Sequence, residues 1–385
     1  MTTSLTGATC LVLTAGAVHA GGIERTTQSA LVLFETGNVL EFSLAYADPR
    51  LTGRNTSPPF PEQTLDDVAR GFALPSFALK YDLTEDWALA LIYDRPFGAD
   101  VAYQDDNAVF GGTTTQASTH ALTALARYRF NDTFSAFGGV RLQQADGRIH
   151  LQGAAYGAVS GYTVDLDPNV ALGYVAGVAY QIPDIALRVV LTYNSAVSHD
   201  MEINESGPAI PVDTTGDGVP DTALPLLNGD GSTEVRTPSS WTLDFQTGIM
   251  ADTLLFGSVR YVRHSEFRVD PKHFETVTND GLIDLDDTTA WTLGVGRKVT
   301  DRVSAALSAT YEGPTGRLVS PLAPTTGYTQ VRLSGSYAVN ERLTVSGGLS
   351  HFWLGDGRPQ TAQTARADFG DNTGWGVGLK LAYRF

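Results

Sequence analysis

Apolar and polar residues alternate one by one in many segments of this chain, and the pattern is clearest at the C-terminus. In residues 374–385, large apolar side chains occupy one face, while Gly, Lys, Ala and Arg occupy the other. The apolar face consists of Trp375, Val377, Leu379, Leu381, Tyr383 and Phe385. A period of two with aromatic residues at the ends is typical of a strand between lipid and a polar lumen.

The same alternation recurs upstream, in segments 240–251, 302–311 and 327–339. There the second face carries charged residues, among them Asp244 and Arg332. A dry core between two sheets would not accept these charges, because burying an unpaired ion is costly. The pattern therefore favours a water-filled lumen over a soluble sandwich.

Counting such segments gives about fourteen strands, an even number as in bacterial barrels. They are predicted at 38–48, 71–81, 87–104, 118–130, 133–147, 164–181, 185–197, 240–251, 253–263, 288–298, 302–311, 327–339, 342–352 and 373–385. Short connections alternate with long ones near 53–70, 105–117, 148–163, 198–239, 264–287, 312–326 and 353–372. This predicts an all-β fold, a transmembrane antiparallel β-barrel over 38–385, with both termini in the periplasm of a bacterial outer membrane.

Composition narrows the class of protein further. The 385 residues carry a net charge of -16 and one cysteine. Such an acidic chain has no basic stripe for nucleic acid, and a single cysteine cannot frame a disulfide-rich module. No run of 18 apolar residues occurs, which excludes a bundle of membrane-spanning helices.

The N-terminus has features of an export signal. Residues 8–17 are mostly apolar, and Val18-His19-Ala20 places small residues where signal peptidase needs them. We therefore predict a signal peptide over 1–20, whose removal would take Cys10 with it. A buried N-terminal strand is the alternative.

Several segments resemble the FadL-type family of outer-membrane transporters for long-chain fatty acids and other hydrophobic compounds. They are GGIERTTQSALVLFETGNVLEFSLAYADPRLTG, LPSFALKYDLTEDWALALIYDRPFGADVAY, GYVAGVAYQIPDIALRVVLTYNSAVSHDME and RTPSSWTLDFQTGIM. The resemblance implies a fourteen-stranded barrel with a short N-terminal hatch inside the lumen, here residues 21–37. It also implies passive uptake of a hydrophobic small molecule, a long-chain fatty acid or an aromatic hydrocarbon.

A proline interrupts the third predicted strand, in the sequence Pro96-Phe97-Gly98. Proline has no N–H for the ladder, so a closed barrel must contain a local break at this point. In the family that this chain resembles, a kink here opens the wall sideways to the membrane. An ordinary bulge is the alternative.

Two further groups are candidate ligand contacts. The apolar segment Leu31, Val32, Leu33 and Phe34 would line a pocket inside the barrel or simply fill it as a plug. A carboxylate ligand would need a cation, and alternation points Arg260, Arg332 and Lys380 into the lumen, with Arg25 at the start of the hatch. Each cation could instead pair with a lumen carboxylate such as Asp244 or Glu41.

The segment 213–221 resembles a calcium loop. Asp213, Asp217 and Asp221 alternate with glycines, as oxygen ligands and sharp turns do around Ca²⁺. A solvated acidic loop is the alternative reading. No other cofactor is expected.

The sequence contains no arrangement of residues that indicates catalysis. The histidines lack metal-ligand spacing, and neither GxSxG nor a P-loop occurs. We expect a monomer that contacts membrane lipid and the barrel assembly machinery, which reads the terminal Phe385. The alternative functions are a general diffusion porin and a surface adhesin or structural barrel that uses loop 198–239.

Overall fold

A computed structural model describes residues 23–385, apart from 57, 59, 61 and 317. The predicted signal peptide and Cys10 lie outside the described residues. Among these described residues strands dominate, and the α-helical part is confined to the seven residues Lys272–Thr278, helix α1. In the described part of the chain, no helix is long and apolar enough to cross a membrane.

Fourteen antiparallel strands form the barrel wall, as the alternation predicts, and three of them are interrupted. They are β1 Val39–Arg50, β2 Phe72–Asp82, β3 Trp87–Asp94 and Gly98–Ala102, β4 Thr114–Arg129, β5 Phe134–Leu151, β6 Tyr162–Ile182, β7 Leu187–Asn194 and Val197–Ser206, β8 Gly229–Thr237 and Ser240–Met250, β9 Thr253–Val262, β10 Thr288–Lys298, β11 Val303–Glu312, β12 Tyr328–Ala338, β13 Leu343–Leu354 and β14 Thr373–Arg384.

The first and last strands close the barrel. β1 pairs with β14 along its whole length, from Val39 opposite Arg384 to Arg50 opposite Thr373. Connections of two to four residues alternate with much longer ones around the wall. The start of β1 and the end of β14 therefore lie together at the end of the barrel that has the short connections.

Strands β5 to β8 extend further than the alternation predicts. The predicted loop 198–239 is largely strand, and only residues 207–228 connect β7 to β8. In the added parts the outward residues include Asp200, Glu202 and Glu234, all exposed. The inward residues there include the apolar Met201 and Val235, so the pattern is the reverse of the one that lipid imposes.

Two rings of aromatic side chains lie on the outside of the barrel. Near the long connections the exposed aromatic residues include Tyr46, Trp241, Trp291, Tyr311, Trp353 and Trp375. Near the short connections they include Tyr81, Trp87, Phe134, Tyr337 and Tyr383. Leu and Val fill the band between the rings, as expected for a surface whose two edges meet the lipid headgroups.

The long connections fold over their end of the barrel. Helix α1 is fixed by Glu205 of β7, whose carboxylate accepts the main-chain N–H groups of His273 and Phe274 and the Tyr162 hydroxyl. Phe267, Val269 and Ile283 then pack against inward residues of the wall. The lumen is thus covered by apolar side chains at this end.

Replacement of Leu307 by Arg tests which face of β11 contacts lipid. Leu307 is 56 % exposed on the outside, whereas the next residue, Ser308, lines the lumen. We expect Leu307→Arg to lower the free energy of unfolding by about 2–4 kcal/mol in lipid vesicles. Ser308→Arg should cost much less. Equal losses in urea titrations of the two variants would contradict the orientation of β11.

Candidate functional site

The barrel wall is interrupted between β2 and β3. β2 pairs with β3 only from Phe77 opposite Tyr93 to Asp82 opposite Ala88. No pairing within the described residues joins positions 72–76 of β2 to β3. Pro75 and Pro96 flank this break, and neither has an N–H to offer to a neighbouring strand.

Residues 23–26 take the place of β2 at the break. The carbonyl of Pro96 accepts the main-chain N–H groups of Arg25, at 2.7 Å, and Thr26, at 3.3 Å. The N–H of Gly98 donates to the carbonyl of Ile23 at 2.8 Å, and Glu24 lies opposite Phe97 as an antiparallel bridge. The edge of β3 is therefore paired by the N-terminal segment. We call residues 23–26 the wall segment.

Polar side chains anchor the wall segment on the inside. Arg260 Nε donates to Glu24 Oε1 at 2.9 Å, and a second guanidinium N–H of Arg260 reaches the same oxygen. Both side chains are almost fully buried. The hydroxyl of Thr26 donates to Asp94 Oδ2 at 2.6 Å.

Arg25 spans the break itself. Its guanidinium carbon lies 3.4 Å from the centroid of the Phe72 ring on β2, and its Nε donates to the Gly98 carbonyl on β3 at 3.0 Å. A Cβ at Gly98 would lie 3.5 Å from Arg25 Nε and 3.0 Å from the Ala117 carbonyl oxygen. Glycine at position 98 thus allows the close approach of the β4 main chain, and a Cβ would only touch the arginine.

An apolar cavity of about 60 Å³ borders the break on the side of the long connections. Ile23, Phe97 and Gly98 form its edge at the break. The other walls are mainly aliphatic and aromatic, and include Ile149, Leu166, Met201, Val235, Phe267, Val269, Ile283 and Leu322. Ile23 and Phe97 themselves are 5 % and 2 % exposed.

A larger cavity of about 210 Å³ lies on the other side of the wall segment. Its lining is rich in charged and hydroxyl side chains, among them Glu41, Asp94, Arg188, Asp244, Arg260, Arg332 and Lys380. The lumen therefore contains an apolar cavity and a cavity of mixed polarity that carries the charged side chains, which we call the polar cavity. Arg25 and Thr26 belong to the segment between them.

The predicted apolar contacts Leu31–Phe34 form a short 3-10 helix in the lumen. Leu31 and Val32 line the polar cavity. Leu33 is fully buried, and Phe34 packs edge-on against Phe137 of β5 with ring centroids 5.8 Å apart. All four lie away from the apolar cavity. The hatch residue that lines that cavity is Ile23, which the alternation of apolar and polar residues did not identify.

Two of the predicted lumen cations already have carboxylate partners. Lys380 Nζ lies 3.0 Å from Glu41 Oε1, one of the pairings that the sequence left open, and Arg260 pairs with Glu24. Arg332 lies in the lining of the polar cavity, with a hydrogen bond to Gln330. Arg25 is placed apart from these three, in the break.

The acidic loop 213–221 is held by its own main chain. The Asp213 carboxylate accepts the N–H groups of Gly218, Gly216 and Thr215, and these bonds hold the pKa of that carboxyl below its usual range. A lowered pKa stabilises the loop at neutral pH, and this stabilisation is lost as the pH falls through that pKa. Among the described residues, no cluster of three metal-ligating side chains could hold an ion. The calcium site stays a prediction.

Comparison with known families agrees with this geometry. The sequence profile of the family described as "Outer membrane protein transport protein (OMPP1/FadL/TodX)" matches residues 16–385. Comparison with curated proteins gives no match.

Several solved structures are similar in fold. A Pseudomonas aeruginosa FadL homologue is 17 % identical, with a TM-score of 0.71 and 92 % of each chain covered. The P. putida toluene transporter TodX is 14 % identical, with a TM-score of 0.63 and 92 % of each chain covered. The Ralstonia pickettii toluene transporter TbuX is 12 % identical, with a TM-score of 0.59, 91 % of this chain and 90 % of that chain covered. At these identities the likeness concerns the fold alone.

Removal of the Glu24 carboxylate tests whether it holds the wall segment in place. A buried Arg260 without its partner is expected to cost about 3–5 kcal/mol, so Glu24→Ala should release the segment. Ser29→Cys, in a Cys10→Ser background, reports the release by faster thiol labelling. Glu41→Ala is the control, because it breaks the Lys380 pair between two wall strands and leaves the segment in place. Equal labelling rates in both variants would refute the anchor.

Proposed function

The chain belongs to the OMPP1/FadL/TodX family of outer-membrane transport proteins, and from that premise we propose a channel for the passive uptake of hydrophobic molecules. The family is one of transporters rather than enzymes. In this proposal the end with the long connections faces outwards and both termini lie in the periplasm. A ligand enters between the long connections, rests in the lumen, and leaves through the break in the wall when the wall segment moves.

The observation that carries the proposal is the position of the apolar cavity against the break. Phe97 and Gly98 belong both to the cavity lining and to the interrupted strand. A ligand in this cavity is therefore separated from the outside of the barrel only by the wall segment and the Arg25 side chain. The path sideways is short.

The polar cavity gives a physical reason for sideways exit. Passage straight through the barrel would bring an apolar ligand among Asp94, Arg188 and Asp244. Apolar surface gains less there than in lipid, because charged side chains interrupt the apolar part of that lining. Each methylene that moves from water into lipid gains about 0.8 kcal/mol. The ligand gradient and the membrane itself would thus drive uptake, and displacement of the whole hatch is the less favourable route.

We propose long-chain fatty acids as the substrate. A long acyl chain gains most from direct entry into lipid, and the Arg25 guanidinium lies at the break, where it could meet a carboxylate. The cavity of about 60 Å³ must enlarge to take such a chain. Aromatic hydrocarbons are the competing substrates within the same class, because TodX and TbuX are toluene transporters.

Closing the break tests the exit route. Pro96→Val restores an N–H to β3, and Gly98→Val adds bulk against Arg25 and the Ala117 carbonyl. We expect the double variant to reduce uptake of labelled oleate about tenfold or more, because the gap would be filled. Gly335→Val on β12 is the control, since a Cβ there meets no atom closer than 3.6 Å.

Unchanged oleate uptake in the double variant, with the wall shown to be closed, would contradict sideways exit. Swelling of liposomes in sugar solutions tests the porin alternative with the same preparations. Rapid swelling would contradict a channel reserved for hydrophobic molecules. Loss of surface attachment on deletion of residues 207–228, with oleate uptake intact, would favour the adhesin.

A further inference from the structure

We propose that Arg25 selects ligands by their headgroup: its guanidinium binds the carboxylate of an amphipathic ligand at the break while the apolar part enters the membrane. This inference rests on the proposed function, because it assumes sideways exit. It assigns the recognition of a carboxylate to a residue of the wall segment. The cations deeper in the lumen are then structural.

The first support is the location of Arg25. Its contacts with Phe72 and Gly98 join the two sides of the opening, so that any molecule that leaves through the break must pass its side chain. Main-chain hydrogen bonds to Pro96 hold the residue in this place. The side chain is mostly buried, though more exposed than that of Arg260.

The second support is the state of its donors. Nε is engaged by the Gly98 carbonyl, while the two terminal nitrogens donate to none of the described residues. No carboxylate in the described part of the chain lies within ion-pair distance of Arg25, although Asp100 is near enough to interact with its charge. The Phe72 ring attracts the cation through its π face and leaves those N–H groups available.

Arg260 and Lys380 differ from Arg25 because each has a carboxylate partner within the protein. Glu24 neutralises Arg260, and Glu41 neutralises Lys380, so a ligand carboxylate would have to displace a protein carboxylate at either site. Asp100 forms an ion pair with Arg70, whose Nε lies 3.8 Å from Asp100 Oδ1. Arg95 adds a second positive charge beside Arg25.

The chemistry of the ligand follows from the surroundings. An ionised carboxylate loses its hydration at a lipid-facing opening, which is costly unless a paired cation replaces the water. A guanidinium can supply two parallel N–H donors to the two carboxylate oxygens. A neutral ester or an aromatic hydrocarbon has no group that uses them. Arg25 would therefore speed the passage of carboxylates and leave neutral compounds unaffected.

The test compares oleate with methyl oleate in cells that carry the full-length protein. Arg25→Met keeps the length and apolar stem of the side chain but removes its charge. We expect this variant to take up oleate at about one tenth of the original rate or below, with methyl oleate uptake unchanged. A loss of this size is typical of a missing charge-assisted hydrogen bond. Arg25→Lys should retain part of the oleate uptake. Arg70→Met is the control for loss of a positive charge next to the break.

Each of the other outcomes contradicts one part of the proposal. Equal loss or equal gain of both compounds in Arg25→Met would mean that the residue only fills the opening, and headgroup selection would be wrong. Unchanged oleate uptake would also overturn it. Failure of the unaltered protein to take up either compound would instead refute the proposed function. Heat-dependent mobility in gels confirms that each variant forms the barrel.

Discussion

The fold depends on one constraint: a peptide group that faces hydrocarbon must find its hydrogen-bond partner within the protein. Most of the neighbouring strand pairs meet this need by ordinary pairing, including the closure between β1 and β14. The pairing of β6 with β7 is interrupted between Val175 and Leu166. Strands β2 and β3 do not meet the need by pairing with each other, because residues 72–76 of β2 form no pairs with the part of β3 around Pro96. The wall segment supplies the missing partners, which makes the N-terminus part of the wall as well as of the lumen.

The two attachments of this segment differ in strength. On the inside, Glu24 and Arg260 form a buried pair whose disruption costs several kcal/mol. At the wall, three main-chain hydrogen bonds involve Arg25, Thr26 and Gly98, each worth about 0.5–1.5 kcal/mol. At about 0.8 kcal/mol per methylene, burial of roughly two to six methylenes offsets these bonds. In the proposed route, a bound alkyl chain would therefore open the wall while the ion pair still holds the segment inside the barrel.

The barrel could be predicted from the sequence because lipid imposes a period of two on every strand that crosses it. Where strands rise above the lipid, as with Val197–Ser206, that constraint ends and the prediction was too short. The break at Pro96 was predictable from a local rule about proline. Its partner was not, because the pairing of Ile23 with Gly98 joins residues 75 positions apart and leaves no periodic signal. The pairing of Lys380 with Glu41 follows from strand neighbours, whereas that of Arg260 with Glu24 depends on how the hatch enters the lumen.

The division of the lumen into an apolar and a polar cavity explains why the wall should be weakest at this height. In the proposed route, a hydrophobic ligand that has reached Phe97 lies in a mainly apolar cavity, and charged side chains such as Asp94 line the cavity just beyond the wall segment. The free energy of the ligand therefore rises towards the lower lumen and falls towards the membrane. A break beside the apolar cavity uses this difference in the proposed route, because sideways displacement keeps the ligand away from the charged side chains of the polar cavity.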